Sequence, residues 1–132
     1  MKVLIVEDDF MSRKVMMFCL TSLGGSCEVA VDGQEAVSAV TLALEEKAPY
    51  DVIFLDIMMP NMDGHDALKS IRRIEDENGY PIGRGAKIVM TTALSDHKSI
   101  MSAFREECDG YLIKPVKKEA IKDKLFELGL IS

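Results

Sequence analysis

A group of residues with reactive or ion-binding side chains stands where short apolar runs of the sequence end. These residues are Glu7, Asp8 and Asp9 after the first run, Asp56 after the third, Thr91 and Thr92 after the fourth, and Lys114 after the fifth. Carboxylates packed together raise one another's pKa unless a cation lies between them. An all-oxygen cluster suits Mg²⁺, and a lysine and a hydroxyl can hold phosphate oxygens. Asp56 is then a candidate nucleophile toward phosphorus, since aspartyl phosphate is a known class of covalent intermediate.

Whether these side chains lie close together depends on the strands and helices that carry them. The apolar runs at residues 3–6, 27–31, 52–56, 87–92 and 110–113 predict five strands, each followed by a segment with helical periodicity. The fourth of these helices is predicted to begin at Ser95 and to carry Ile100, Ala103 and Phe104. This alternation predicts an α/β fold with a parallel sheet and helices on both faces. Ligands of such sheets bind at the carboxyl ends of the strands.

Two local features of the sequence modify this plan. Asp32 and Glu35 have the spacing of a capping box at the start of the second helix. Residues 78–85 form a polar loop rich in glycine and proline, which is long for a connection between a helix and a strand. We expect the longer loop that contains them, from Glu75 to Ala86, to be either a partner-specific surface or a tolerated insertion.

Composition narrows the class of protein. A length of 132 residues, of which 48% are apolar, predicts one domain with a proper core. The net charge of −6 argues against a nucleic-acid-binding surface, which is normally basic. The three cysteines show no metal-type spacing and are interpreted as free thiols in a reducing compartment. The sequence shows no signal peptide and no apolar run of membrane-spanning length, so we expect a cytoplasmic protein.

The motifs at the strand ends resemble those of the receiver domain of bacterial two-component response regulators. The resemblance covers essentially the whole chain, residues 1–132, and rests on LIVEDD at 4–9, FLDIMMPNMDG at 54–64, TA at 92–93 and YLIKP at 111–115. It implies a flavodoxin-like (βα)5 sandwich whose parallel sheet has the strand order 2-1-3-4-5.

The resemblance also implies roles for individual residues. Asp56 would accept a phosphoryl group from a sensor histidine kinase or a phosphotransfer protein. Lys114 would pair with that group, Thr92 would move to bond one of its oxygens, and Tyr111 would be an aromatic switch that moves with Thr92. Lys114 and Pro115 would be joined by a cis peptide bond.

Mg²⁺ is the cofactor that the resemblance implies. Its ligands would be Asp8, Asp9, Asp56 and the backbone carbonyl of Met58. The output would pass to a downstream protein through the fourth helix, the fifth strand and the fifth helix. Since no further domain follows Ser132, we expect the output to be made through another protein. We expect a signalling switch and not an enzyme that acts on other substrates. We expect no direct contact with nucleic acid or with a membrane.

Other interpretations compete with this one. Taken singly, Asp8 or Asp9 is as well explained as the cap of the first helix. A phosphohydrolase with an aspartyl-phosphate intermediate needs a second Asp, its general acid, two residues after the nucleophile. This chain has Met58 at that position. A flavin-binding protein of this fold needs a hydroxyl- and glycine-rich loop where residues 7–9 stand. A phosphorylation-independent scaffold is the remaining alternative, and the presence of the complete set of site residues disfavours it.

Overall fold

The computed structural model describes residues 1–59, 62–81, 83–93 and 108–132. Five parallel strands form one sheet in the order β2-β1-β3-β4-β5, which confirms the predicted fold. The strands are β1 (Lys2–Val6), β2 (Ser26–Ala30), β3 (Val52–Asp56), β4 (Lys87–Ala93) and β5 (Gly110–Lys114). The helices are α1 (Phe10–Ser22), α2 (Gly33–Glu45), α3 (Gly64–Glu77) and α4 (Lys118–Glu127).

Helix α4 is the fifth helix of the sequence prediction. The predicted fourth helix, with Ser95, Ile100, Ala103 and Phe104, lies outside the described residues. Among the helices that the structure describes, none is both long enough and apolar enough to cross a membrane.

Alternation along the strands divides the interior into two cores. Because successive side chains of a strand point to opposite faces, every second residue of β1 and β3 belongs to the same core. One core combines Leu4, Val6, Ile53 and Leu55 with residues of α2 and α3. The other combines Val3, Ile5, Val52 and Phe54 with residues of α1 and α4. Both faces of β3 are therefore covered, and its carboxyl end is held rigidly between two layers of helices.

Side-chain caps fix where the helices begin. Asp9 Oδ2 accepts a hydrogen bond of 2.8 Å from the Ser12 amide at the start of α1. Asp32 Oδ1 accepts from the Glu35 amide at 2.8 Å, and Glu35 Oε1 accepts from the Val31 amide at 2.9 Å. The predicted capping box at α2 is thus present, with Glu35 reaching back to the residue before the cap.

The long connection between α3 and β4 is anchored at the amino edge of the sheet, opposite Asp56. Glu75 is buried, and its Oε2 accepts a 2.7 Å hydrogen bond from the Ala86 amide. Arg72 Nη1 donates to Glu75 Oε1 at 2.7 Å and to the Ala86 carbonyl at 2.8 Å. Arg72 Nη2 also donates to Asp109 Oδ2 at 2.9 Å, just before β5. These bonds hold the loop away from the carboxyl ends of the strands.

Candidate functional site

Three carboxylates meet where β1 and β3 end. Asp56 is the last residue of β3 and is 3% exposed, and Glu7 follows β1 and is 2% exposed. One carboxylate oxygen each from Glu7, Asp8 and Asp56 lies within 4.8 Å of the others, and Asp8 faces solvent. The predicted convergence of strand-end carboxylates is therefore present in the structure.

Lys114, the last residue of β5, supplies a positive charge to these carboxylates. Its Nζ lies 2.6 Å from Glu7 Oε1 and 3.2 Å from Asp56 Oδ2. Burial acts to lower the pKa of Lys114, but the hydrogen bond to Glu7 and the charge of Asp56 outweigh it, so the pKa is raised. Burial also raises the pKa of Glu7, and the Lys114 ammonium opposes that shift. The peptide bond from Lys114 to Pro115 is cis, as predicted.

The position of Asp56 is fixed by close backbone packing. Asp56 pairs in register with Thr91 of β4, and the Ile57 amide donates to the Thr91 carbonyl at 3.1 Å. The Gly64 amide donates to the Ile57 carbonyl at 2.9 Å. A Cβ at Gly64 would lie 2.6 Å from the Asp56 carbonyl oxygen, so only glycine lets α3 begin this close to the site. The Met58 amide faces Asp56 Oδ1 at 3.3 Å.

The carboxylates fit a divalent cation. Glu7 Oε2 is buried and makes no hydrogen bond to any residue in the described part of the chain. A buried carboxylate oxygen without a partner is costly unless something positive reaches it. Three carboxylates outnumber the one ammonium of Lys114, and all the ligand atoms are hard oxygens. Exposed Asp8 leaves the cluster open to water, which Mg²⁺ retains in its coordination shell.

Asp9 lies apart from this cluster. Its side chain is exposed and caps α1, and the hydrogen bond from the Ser12 amide holds the pKa of Asp9 below its usual range. The metal-binding role expected for Asp9 is not tested and stays a prediction, while the geometry brings Glu7 to the cluster instead. The signal for Glu7 was its place directly after the apolar run. The Glu7 amide still pairs with the Ala30 carbonyl at 3.0 Å, so Glu7 remains at the sheet edge where Asp9 has already turned into α1.

The remaining predicted site residues lie near the same edge. Thr92 is buried on β4, and its hydroxyl donates to the Ala93 carbonyl at 3.2 Å. Tyr111, on the neighbouring strand β5, is half-buried and packs against the core under α2 and α3. The Met58 side chain is 67% exposed. The roles expected for Thr92, Tyr111 and the Met58 carbonyl stay predictions.

An apolar surface adjoins the carboxylates. A groove of about 420 Å³ runs between α1 and the segment after β5, and its lining includes Glu7, Met11, Val15, Lys114 and Val116. Four large apolar side chains of α1 are exposed, Phe10, Met11, Val15 and Phe18, and two of them, Met11 and Val15, line the groove. The groove therefore connects the ion-paired lysine to an apolar helix face, which we call the α1 face.

Comparisons with known proteins agree with the geometry. A family model described as response regulator receiver domain matches residues 3–126. The osmosensing histidine protein kinase SLN1 of Saccharomyces cerevisiae is 34% identical over 127 residues, which are 96% of this chain and 10% of that kinase. The chain thus spans about a tenth of the length of this relative.

Solved structures extend the similarity. The receiver domain of Ssk1 from Saccharomyces cerevisiae, in a co-crystal with the histidine phosphotransfer protein Ypd1, is 31% identical with a TM-score of 0.80, covering 98% of this chain and 88% of that one. The receiver domain of the histidine kinase CKI1 from Arabidopsis thaliana, complexed with Mg²⁺ and BeF₃⁻, is 29% identical and has a TM-score of 0.77. The match covers 93% of this chain and 88% of the CKI1 receiver chain.

Proposed function

The chain belongs to the response regulator receiver domain family, and from this premise we propose that Asp56 is its phosphoacceptor. Receiver domains of this family are signalling switches of two-component systems. The observation that carries the assignment is the position of Asp56, buried at the end of β3 with Oδ2 3.2 Å from the Lys114 ammonium. A carboxylate held beside a fixed cation can attack phosphorus and keep the product's charge balanced.

The chemistry is a transfer between two side chains. A carboxylate oxygen of Asp56 attacks the phosphorus of a phosphohistidine, the P–N bond breaks, and the imidazole leaves. Lys114 is placed to pair with the phosphoryl oxygens once the bond to Asp56 has formed. Mg²⁺, when bound, offsets the negative charge of the carboxylates and of the phosphoryl oxygens. Glu7, Asp8 and Asp56 would hold it, since these three carboxylates are the ones that lie together, whereas Asp9 caps α1.

Phosphorylation is proposed to act through Thr92 and Tyr111. The Thr92 hydroxyl, bonded here to the Ala93 carbonyl, would exchange that partner for a phosphoryl oxygen. Tyr111 lies on the adjacent strand, half-buried, and is able to change its packing as Thr92 moves. The output protein would be recognised on β5 and α4 together with the predicted fourth helix, which lies outside the described residues.

The phosphodonor is proposed to be a histidine phosphotransfer protein or a sensor histidine kinase that docks on the α1 face. Exposed apolar side chains clustered beside a groove mark an interaction surface. The similar receiver of Ssk1 was crystallised with the phosphotransfer protein Ypd1. Such a donor and the three free thiols fit a reducing, cytoplasmic setting.

Residues 1–132 are proposed to form one receiver domain that catalyses only its own phosphorylation and dephosphorylation. The alternative is a scaffold of the same fold that signals without phosphate. Incubation with Mg²⁺ and acetyl phosphate, followed by intact-protein mass measurement, separates the two. We expect one phosphoryl group on the wild type, and none without Mg²⁺ or in Asp56→Asn. A protein that binds beryllofluoride but gives no adduct turns over too fast to trap, whereas one that does neither is the scaffold.

A further inference from the structure

Arg13, on the first turn of α1, bonds back to the segment that carries the carboxylates. Its Nη1 donates to the Glu7 carbonyl at 3.0 Å and to the Asp8 carbonyl at 3.3 Å. Its backbone amide donates to the Asp9 carbonyl at 2.9 Å. The carbonyls of three consecutive residues therefore all accept hydrogen bonds from Arg13.

Two of these three residues, Glu7 and Asp8, contribute their side chains to the cluster of carboxylates. A carbonyl held by a donor fixes the plane of its peptide unit, and the Glu7 and Asp8 side chains project from that stretch of backbone. Repulsion among Glu7, Asp8 and Asp56, with ligand atoms within 4.8 Å, tends to spread the segment when no cation is bound. The Arg13 guanidinium opposes this spreading from the backbone side, and its hydrogen bonds are of the stronger, charge-assisted kind.

We propose that Arg13 is a positioning residue for cation binding: it holds the segment 7–9 so that the Glu7 and Asp8 carboxylates stay together in the geometry that a divalent cation needs. The proposal rests on the metal site of the proposed function. Arg13 bonds only to backbone carbonyls in this segment, so it acts through Glu7 and Asp8 and not by contact with the ion. Residues that orient metal ligands from behind typically change metal affinity by about 10- to 100-fold.

Lys14 provides a matched control for charge. Its Nζ lies 5.3 Å from the centre of the Phe10 ring, and the Arg13 guanidinium lies 5.6 Å from the same ring. Both residues place a positive charge over one aromatic side chain, but only Arg13 bonds to the Glu7 and Asp8 carbonyls. Removing a positive charge near a cation site should, by itself, strengthen cation binding. Loss of positioning should weaken it, so the two effects of Arg13 differ in sign.

The test is a titration of the whole protein with Mn²⁺, with free Mn²⁺ measured by electron paramagnetic resonance and Mg²⁺ as competitor. We expect Arg13→Gln to raise the Kd for Mn²⁺ about tenfold. Lys14→Gln should leave this Kd unchanged or slightly lower. Arg13→Lys keeps the charge but not the forked donor, so its Kd should lie between those of the wild type and Arg13→Gln. Saturating Mg²⁺ should restore the acetyl phosphate labelling rate of Arg13→Gln, because the defect lies in affinity. Circular dichroism checks folding, and if Arg13→Gln is unfolded, weaker binding by Arg13→Lys carries the test.

Two results would overturn the proposal, and they are distinguishable. If the wild type binds Mn²⁺ and Arg13→Gln binds it equally well or more tightly, Arg13 acts as a charge and does not position the ligands. If Arg13→Lys carries the test, binding equal to that of the wild type has the same meaning. If the wild type itself does not bind Mn²⁺, the metal site of the proposed function fails, and the role of Arg13 fails with it.

Discussion

Lys114 Nζ lies 2.6 Å from Glu7 Oε1, although 107 positions separate the two residues in the chain. The bond joins the ends of β1 and β5, which are not neighbours in the sheet, because β3 and β4 lie between them. The same ammonium lies 3.2 Å from Oδ2 of Asp56, at the end of β3. The ion pair therefore joins the ends of β1 and β5 beside Asp56, the proposed phosphoacceptor.

Replacing Lys114 by Met should destabilise the protein when no divalent cation is present. The substitution leaves the buried Glu7 and Asp56 carboxylates without a positive partner. We expect a loss of about 2 kcal/mol in the free energy of unfolding at neutral pH, between the values for exposed and fully buried pairs. Mg²⁺ should recover part of the loss, because the cation replaces the missing charge. Urea unfolding with and without Mg²⁺ measures both effects.

Lys124→Met is the matched control for this prediction. Lys124 Nζ lies 2.9 Å from Glu127 Oε2, but the Glu127 side chain is 65% exposed. Such a pair contributes at most about 0.5 to 1 kcal/mol. Equal losses in the two variants would contradict the special position of Lys114.

Phe18→Ala should slow phosphotransfer from a protein donor without changing the chemistry at Asp56. Phe18 is 75% exposed on the α1 face, and truncating an apolar anchor of an interface typically costs more than about 1 kcal/mol. We expect the rate of transfer from a phosphorylated histidine phosphotransfer protein to fall about tenfold. The rate of labelling by acetyl phosphate should be unchanged, and rapid-quench assays measure both.

Phe126→Ala tests whether position or exposure alone matters. Phe126 is 65% exposed on α4 and is not among the residues that line the groove beside α1. Its substitution should leave transfer from the protein donor intact. If both variants slow the transfer equally, or if Phe18→Ala slows acetyl phosphate labelling as well, the donor does not dock on α1.

Glu75→Gln should destabilise the fold and leave phosphorylation unchanged. One Glu75 oxygen accepts from the Ala86 amide and the other from Arg72. Gln can replace only one of these acceptors and turns its NH₂ group toward the other donor, so we expect a loss of about 2 to 3 kcal/mol. Asp76→Asn, an exposed position on the same helix, should change stability by less than about 0.5 kcal/mol in the same urea titration. Similar stability of both variants would show that the loop does not depend on Glu75.

Tyr50 should titrate later than an ordinary tyrosine. Burial, together with the 2.8 Å hydrogen bond from its hydroxyl to Glu28, raises the pKa of Tyr50 above the usual value of 10.0. A raised folded-state pKa means that the stabilisation is fully present below pH 10 and is lost as the pH rises toward the folded-state value. Above pH 10, we expect wild-type stability to fall more steeply than that of Tyr50→Phe, by about 1.4 kcal/mol per pH unit.

Tyrosinate absorbance checks this prediction directly. We expect a late step from Tyr50 in an alkaline titration of the folded protein. Tyr50→Phe should remove this step, and Tyr80→Phe should leave it. A late step that survives in Tyr50→Phe would assign the shift to another residue.

The fold was predictable because short stretches of sequence determine where the strands end and where the helices begin. The run 52–56 matches β3, and the spacing of Asp32 and Glu35 located the cap of α2. Which of the three adjacent acids join the carboxylate cluster was less predictable, because Glu7, Asp8 and Asp9 differ only in where the backbone turns. Glu7 stays at the sheet edge and Asp9 caps α1. Because both side chains are carboxylates, their chemistry does not reveal from the sequence which residue takes which position. The bonds of Arg13 and Glu75 to backbone carbonyls and amides depend on packing that residue types do not reveal.

The most direct measurement of the central claim identifies the residue that carries the phosphoryl group. The protein is incubated with Mg²⁺ and acetyl phosphate and then treated with borohydride, which reduces an aspartyl phosphate to homoserine with release of phosphate. Peptide mass spectrometry then locates the change. We expect homoserine at position 56 only, and no homoserine when Mg²⁺ or acetyl phosphate is omitted. Homoserine at another aspartate, or a phosphoryl adduct that borohydride does not convert at position 56, would contradict the assignment of Asp56 as the phosphoacceptor.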